Sequence, residues 1–160
     1  MKKLFLSCIA LLSIVLFSAC ESEDGISAKA AGTYMTHRIT NMVNLPPQYP
    51  FSPIEENVSV NITAATDAHV NITIPSMSYV FNGRNMTINE FTISNIPVLD
   101  AGDEGVVITN HSFTVKVDDK NAAGTLKAEI EPDGDLDMEV TFKYGSMPFA
   151  LKQDYESLHD

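Results

Sequence analysis

Residues 136–144 read Leu-Asp-Met-Glu-Val-Thr-Phe-Lys-Tyr, with apolar side chains at every even position and charged or polar ones between them. A helix cannot bury such a set on one face, because helical neighbours recur every three or four residues. A strand can, with one face on a core and the other in water. The same period runs through Val58, Val60, Ile62 and Ala64, set against Asn57, Ser59, Asn61 and Thr63, and resumes at Val70, Ile72 and Ile74. From residue 32 onward no long segment has the helical period; only Leu151, Tyr155 and Leu158 are spaced for one short terminal helical turn. The chain is therefore expected to be all-β and antiparallel.

Turn chemistry divides the strands. Asn82-Gly83, Ala101-Gly102 with Asp103-Glu104-Gly105, Asp118-Asp119-Lys120-Asn121 and Pro132-Asp133-Gly134 each separate two apolar-patterned runs, as hairpin loops do. Leu45 to Pro53 carries four prolines and is expected to be a long extended loop. Strands are predicted at 32–43, 56–64, 69–80, 85–98, 105–117, 124–131, 135–144 and 147–152. The apolar parity slips near Pro75 and near Glu90-Phe91, where a bulge would restore it. Strands of this number and length build either a barrel or a β-sandwich, and alternation alone does not choose.

The first nineteen residues follow different rules. Lys2 and Lys3 precede an almost unbroken apolar run from Leu4 to Phe17, and the small residues Ser18 and Ala19 stand just before Cys20. That order is the pattern of a secretory signal peptide, and the run is shorter than the roughly 20 residues of a membrane-spanning helix. Leu16 to Cys20 looks like a lipobox, so Cys20 is expected to become the first mature residue and to carry acyl chains. Two or more such chains hold a protein stably, at about 0.8 kcal/mol per buried methylene. Three parts are therefore predicted: a signal peptide (1–19), a lipidated flexible tether (20–31) and a single domain (32–160). The acidic Glu21, Glu23 and Asp24 resemble an export signal to the outer face of the outer membrane, with the periplasmic face as the alternative.

Cysteine and charge narrow the chemistry. Cys8 lies in the segment to be removed, so the mature chain has no second thiol for an internal disulfide. With two of the ten basic residues gone and all 21 acidic ones kept, the net charge passes from −11 to −13. So acidic a surface argues against a nucleic-acid partner. His37, His69, His111 and His159 have no metal-ligand spacing, and Asp133, Asp135, Asp137 and Glu139 lack the glycine and terminal glutamate of an EF-hand loop. Asp100, Asp103 and Glu104 read as a solvated turn. There is no Gly-x-Ser-x-Gly elbow and no phosphate-cradling loop. No catalytic residue, metal ligand or cofactor is assigned.

Gly32-Thr33-Tyr34, Asn95-Ile96-Pro97-Val98, Thr125-Leu126 with the run from Leu136 to Phe142, and Tyr144-Gly145-Ser146-Met147-Pro148 together resemble the calycin-like β-barrel lipoproteins of gut anaerobes with outer membranes. The resemblance implies an up-and-down barrel of eight strands with one end wide enough to admit a small ligand. The inward set would then be Val58, Val60, Ile62, Val70, Ile72, Met77, Tyr79, Phe81, Met86, Phe91, Ile93, Phe113, Met138, Val140 and Phe142. These side chains either fill the interior or line a ligand cavity. The expected function is non-enzymatic binding of a small apolar or amphipathic ligand; a surface-displayed interaction domain with a filled core is the alternative.

Overall fold

The computed structural model describes residues 25–159. A five-residue helix, α1 (Ile26–Ala30), leads into eleven strands: β1 (Gly32–Val43), β2 (Ile54–Thr66), β3 (His69–Ile74), β4 (Met77–Phe81), β5 (Arg84–Ile88) and β6 (Phe91–Pro97). These are followed by β7 (Leu99–Asp100), β8 (Val106–Val117), β9 (Lys120–Ile130), β10 (Leu136–Tyr144) and β11 (Ala150–Ser157). Nine of them form one antiparallel sheet in the order β6-β3-β2-β1-β11-β10-β9-β8-β7. The sheet curls until β6 lies beside β8, giving a nearly closed barrel. Its neighbours follow chain order, as in an up-and-down barrel, and β7 is a two-residue addition to eight longer strands.

The first and last strands complete the wall. β1 pairs with β11 from Thr36↔Ser157 to Val43↔Ala150, and with β2 from Gly32↔Ile62 to Thr40↔Ile54. Leu151 thus lies on a strand, within the predicted span 147–152, and Tyr155 lies on the same strand and not on a terminal turn of helix. They are four residues apart, a spacing that puts them on one face under either period. Leu158, three residues further on, falls outside the strand and is exposed.

The two parity slips end strands instead of bulging them. At Pro75 the predicted strand 69–80 splits into β3 and β4, and at Glu90 the strand 85–98 splits into β5 and β6. Pro75 has no N–H to continue the ladder. The chain leaves the barrel there, and β4 and β5 form a separate two-stranded hairpin through the Asn82-Gly83 turn, both residues having positive φ. Bulges occur instead in β2/β3, β3/β6 and β8/β9.

Both barrel ends are covered. At the start of β1, α1 occupies part of the segment expected to be a tether. Ser27 N–H donates to Asp67 O at 3.0 Å, the Tyr34 hydroxyl donates to Ala30 O at 2.7 Å, and Ser27 and Ala30 are buried. The earlier tether residues and the signal-peptide and lipobox residues lie outside the described residues. At the opposite end the β4–β5 hairpin and the 45–53 loop pack together through Tyr49, Phe81 and Phe149, with ring centroids 5.7 and 4.6 Å apart.

Between these caps the inner face is packed solid. Every member of the predicted inward set is buried or half-buried. Phe91 meets Phe142 edge-on at 5.5 Å and Phe113 at 6.3 Å. Gly124 makes the room: it stands in register between Phe113 and Phe142. A Cβ there would collide with the Thr141 carbonyl oxygen and lie 2.6 Å from Phe142 Cα. Gly124→Ala is therefore expected to push β9 from β10 and lower stability by about 2 kcal/mol, read as a lower urea midpoint; an unchanged midpoint would remove this role for the glycine.

Candidate functional site

Alternation places Tyr34, Thr36, Arg38 and Thr40 of β1 inside the barrel and leaves Met35 on the outside, 55% exposed. Polar groups therefore enter an apolar interior, and each needs a partner. The register supplies them, because Arg38 stands directly between Glu56 of β2 and Tyr155 of β11. Arg38, with no exposed surface, donates to Glu56 Oε1 at 2.5 Å and to the carbonyls of Pro75 and Ser76, each at 2.9 Å. Its guanidinium lies 5.9 Å from the Tyr155 ring centroid. The Tyr155 hydroxyl donates to Gln153 Oε1 at 2.8 Å, and Gln153 Nε2 reaches Met77 Sδ at 3.1 Å. Arg38 Nε and Thr40 Oγ1 have no partner in this buried row.

This polar row is structural in its geometry. Arg38 grips the corner at Pro75-Ser76 where the chain leaves β3 for the hairpin, and Gln153 touches the first hairpin residue, Met77. Sequence reading missed it because Arg, Thr and Gln at inward positions do not stand out in an apolar alternation. The traceable signal was the inverted pattern of β1, with Met35 and Ile39 facing outward between threonines and Arg38.

A surface cleft with mainly apolar walls adjoins that hairpin. Tyr79, Phe81, Met86, Tyr144, Met147 and Phe149 give it apolar walls, Lys120 and Ser146 stand at its rim, and its volume is about 260 Å³. The Tyr79 hydroxyl points at Met147 Sδ, 3.2 Å away, and the Tyr144 hydroxyl donates to Val117 O at 3.3 Å. Burial raises both phenol pKa values; Tyr144 adds to the effect on Tyr79, and Asp118 to that on Tyr144. Both hydroxyls therefore remain neutral. The chemistry on offer is apolar and aromatic contact with a flexible thioether wall, suited to binding.

A second, larger groove of about 500 Å³ runs over the outside of β8 to β11 and is polar. Part of its charge is paired: Glu139 takes Lys127 at 3.3 Å and Lys152 at 3.1 Å, and Lys152 also reaches Asp154 at 3.0 Å, whereas Glu129 and Asp137, directly opposed in register, have no ion pair among the described residues. Burial alone would raise the Glu139 pKa, but the two lysines outweigh it and hold the carboxyl below its ordinary range.

Most of the residues weighed for metal or acid–base chemistry lie apart from one another, and two of them converge at one turn. His37 sits by Asn57 and Glu55, His69 by Thr66, and His159 by Asp135, while His111 lies on β8. Asp137 and Glu139 lie on the outer face of β10. Asp133 and Asp135 converge with Glu131 at the β9–β10 turn, three carboxylates within 4.8 Å on exposed or half-exposed side chains. Asp100 accepts from Lys29 at 2.9 Å and from the Gly102 N–H, which hold its pKa low, and Asp103 and Glu104 occupy an exposed 3-10 turn. Cys20 lies outside the described residues.

A small antiparallel barrel with chain-order neighbours, sealed at one end by a helix and covered at the other by a hairpin, has the architecture of a calycin-type barrel. The sequence profile of the calycin-like beta-barrel domain matches residues 30–157, and the chain belongs to that family. Among solved structures it is similar to a "putative outer membrane protein" from Bacteroides fragilis. The two share 20% identity and a TM-score of 0.67 over 85% of this chain, a likeness of fold. This chain spans about half of that one, 53% of its length. No curated protein matches the chain.

Tyr155 sets a testable pH limit. Burial pushes its hydroxyl up to about 12 from an ordinary value of 10.0, against the opposing pull of Arg38. The fold thus favours the protonated phenol. Stability from this group is complete below pH 10 and is lost as pH rises through 12, an order of about 3 kcal/mol in all. Denaturant titrations across that range should show a steep alkaline decline that Tyr155→Phe flattens; equal slopes in both proteins would assign the decline to other groups.

Proposed function

We propose that this chain is a lipid-anchored cell-envelope protein that binds a small apolar or amphipathic ligand, without catalysis, in the cleft beneath the β4–β5 hairpin. The observation that carries the reading is the coincidence of a filled barrel interior with an open, aromatic and methionine-walled cleft at one end. A cleft of about 260 Å³ is small for a ligand site, so the ligand is of single-ring or short-acyl size. The anchor is the acylated Cys20 of the lipobox-like segment. The location is the outer membrane, with the domain on the cell surface and the periplasmic face as the alternative.

A second reading is favoured by the surface beside the cleft. Tyr49, 39% exposed, packs near the cleft residue Phe81 from the 45–53 loop, and Val80, 60% exposed, lies on the outer face of the hairpin. A protein partner could seat one apolar side chain in the cleft and cover these two residues.

Ser146 is an exposed rim residue. Ser146→Trp should fill the cleft and abolish saturable binding of octanol, followed by the amide shifts of Tyr79 and Met147, while leaving the melting temperature nearly unchanged. Undiminished binding would place the probe elsewhere and remove the cleft as the site. Separately, Cys20→Ser in cells should move the protein from the membrane to the soluble fraction and stop incorporation of labelled palmitate. Retention in the membrane without label would end the lipid-anchor assignment.

A further inference from the structure

Lys120 is set apart from most of the basic residues described. Lys29, Arg38, Lys116, Lys127 and Lys152 each have a carboxylate within ion-pair distance. Among the described residues Arg84, Lys120 and Lys143 do not, and of these three only Lys120 lines the apolar cleft. In a chain of net charge −11, an ammonium group left without an acidic partner is a notable feature. The nearest acids in sequence make other contacts: Asp118 accepts from Asn89 at 2.8 Å and acts on the Tyr144 hydroxyl, and Asp119 lies 3.5 Å from Lys116.

The lysine stem also passes closely over Gly145. The Asp118-Asp119 turn, with both residues at positive φ, starts β9 at Lys120. Gly145, at φ 60°, leaves room for the lysine stem: a Cβ there would lie 3.2 Å from Lys120 Cδ and 3.5 Å from Cγ. The Gly145 N–H donates to Asn121 O at 2.8 Å and fixes this approach. Lys120 Nζ then lies 5.2 Å from the Tyr144 ring centroid, over one wall of the cleft. A cation poised on an aromatic wall at the rim of an apolar cleft is half of an amphiphile-binding site, with the apolar body below and the charged head at the rim.

We infer that the ligand of this cleft is a small amphipathic anion, a carboxylate whose apolar body packs between Tyr79, Phe81, Met86 and Phe149 while its head group pairs with Lys120. The inference rests on the cleft being the ligand site, and it adds the sign of the ligand's charge and the residue that selects it. Ring-bearing and short-acyl carboxylates share this chemistry, and benzoate-type and octanoate-type probes distinguish them.

The test titrates the mature chain with octanoate, its uncharged analogue octanol and phenylpropionate, following the amide shifts of Tyr79, Tyr144 and Met147 by NMR. Octanoate or phenylpropionate is expected to bind about fivefold more tightly than octanol, the scale of one partly exposed ion pair. Lys120→Met should abolish that preference by weakening the anion alone, and Lys120→Arg should keep it. Equal affinity for octanoate and octanol, or a preference that survives Lys120→Met, would overturn the anion assignment and leave the cleft standing. Absence of shifts at these three residues with any of the probes would overturn the cleft and the anion assignment together.

Discussion

The pairing of β1 with β11 joins the first and last strands into one wall, and much of what is particular to this barrel follows from it. Without that ladder the sheet would be two separate halves with exposed edges, an arrangement prone to pairing with other chains. With it, Arg38 is flanked in register by Glu56 and Tyr155, groups far apart in sequence. An arginine can be taken into a barrel interior only if its charge and its donors are met there. The carboxylate, the two carbonyls at Pro75-Ser76 and the tyrosine face meet most of that requirement, with Arg38 Nε alone left without a partner. The same contacts tie the hairpin to the barrel, so the closure of the wall also fixes the lid at one end.

That arrangement shifts the place where a ligand can sit. Eight-stranded barrels are wide enough either to pack solid or to hold one small molecule. Here the inward phenylalanines, isoleucines and methionines, together with the buried polar row, occupy the interior. What remains open is the rim beneath the hairpin, where Tyr79, Tyr144, Met147 and Phe149 are shared between the hairpin, the end of β10 and the segment before β11. Wall, lid and cleft thus depend on a common set of contacts. The outer face is different in kind, since its groove is lined by charged side chains, part of them paired with each other.

The legible parts of the sequence were those governed by local rules. β1 runs over 32–43 as read, and β8 and β10 differ from their predicted spans by a single residue at one end. All four turn signals mark real reversals, with positive φ at Asn82, Gly102, Asp118 and Gly134 among others. The less legible parts were those with two local solutions. Pro75 permits either a bulge or an exit from the sheet, and Leu151 and Tyr155 satisfy a helix and a strand alike. In the candidate site, Tyr79, Phe81 and Met86 were in the predicted inward set, whereas Lys120, Tyr144, Met147 and Phe149 were not assigned to it. Lys120 was read as part of a turn, which is true of its position in the chain and silent about its neighbours in space.

The amino-acid sequence by itself determined the all-β class, the strand faces and the turns, because period, proline and glycine act over a few residues and need no partner from afar. It also carried the family resemblance that the profile match bears out. Only the tertiary structure decided that the interior is filled, that residues 77–88 form a lid, and that an unpaired lysine stands over a tyrosine at the cleft rim. Each of these is a relation between segments brought together by strand register, and register is fixed by the packing of the whole barrel, not by any one strand.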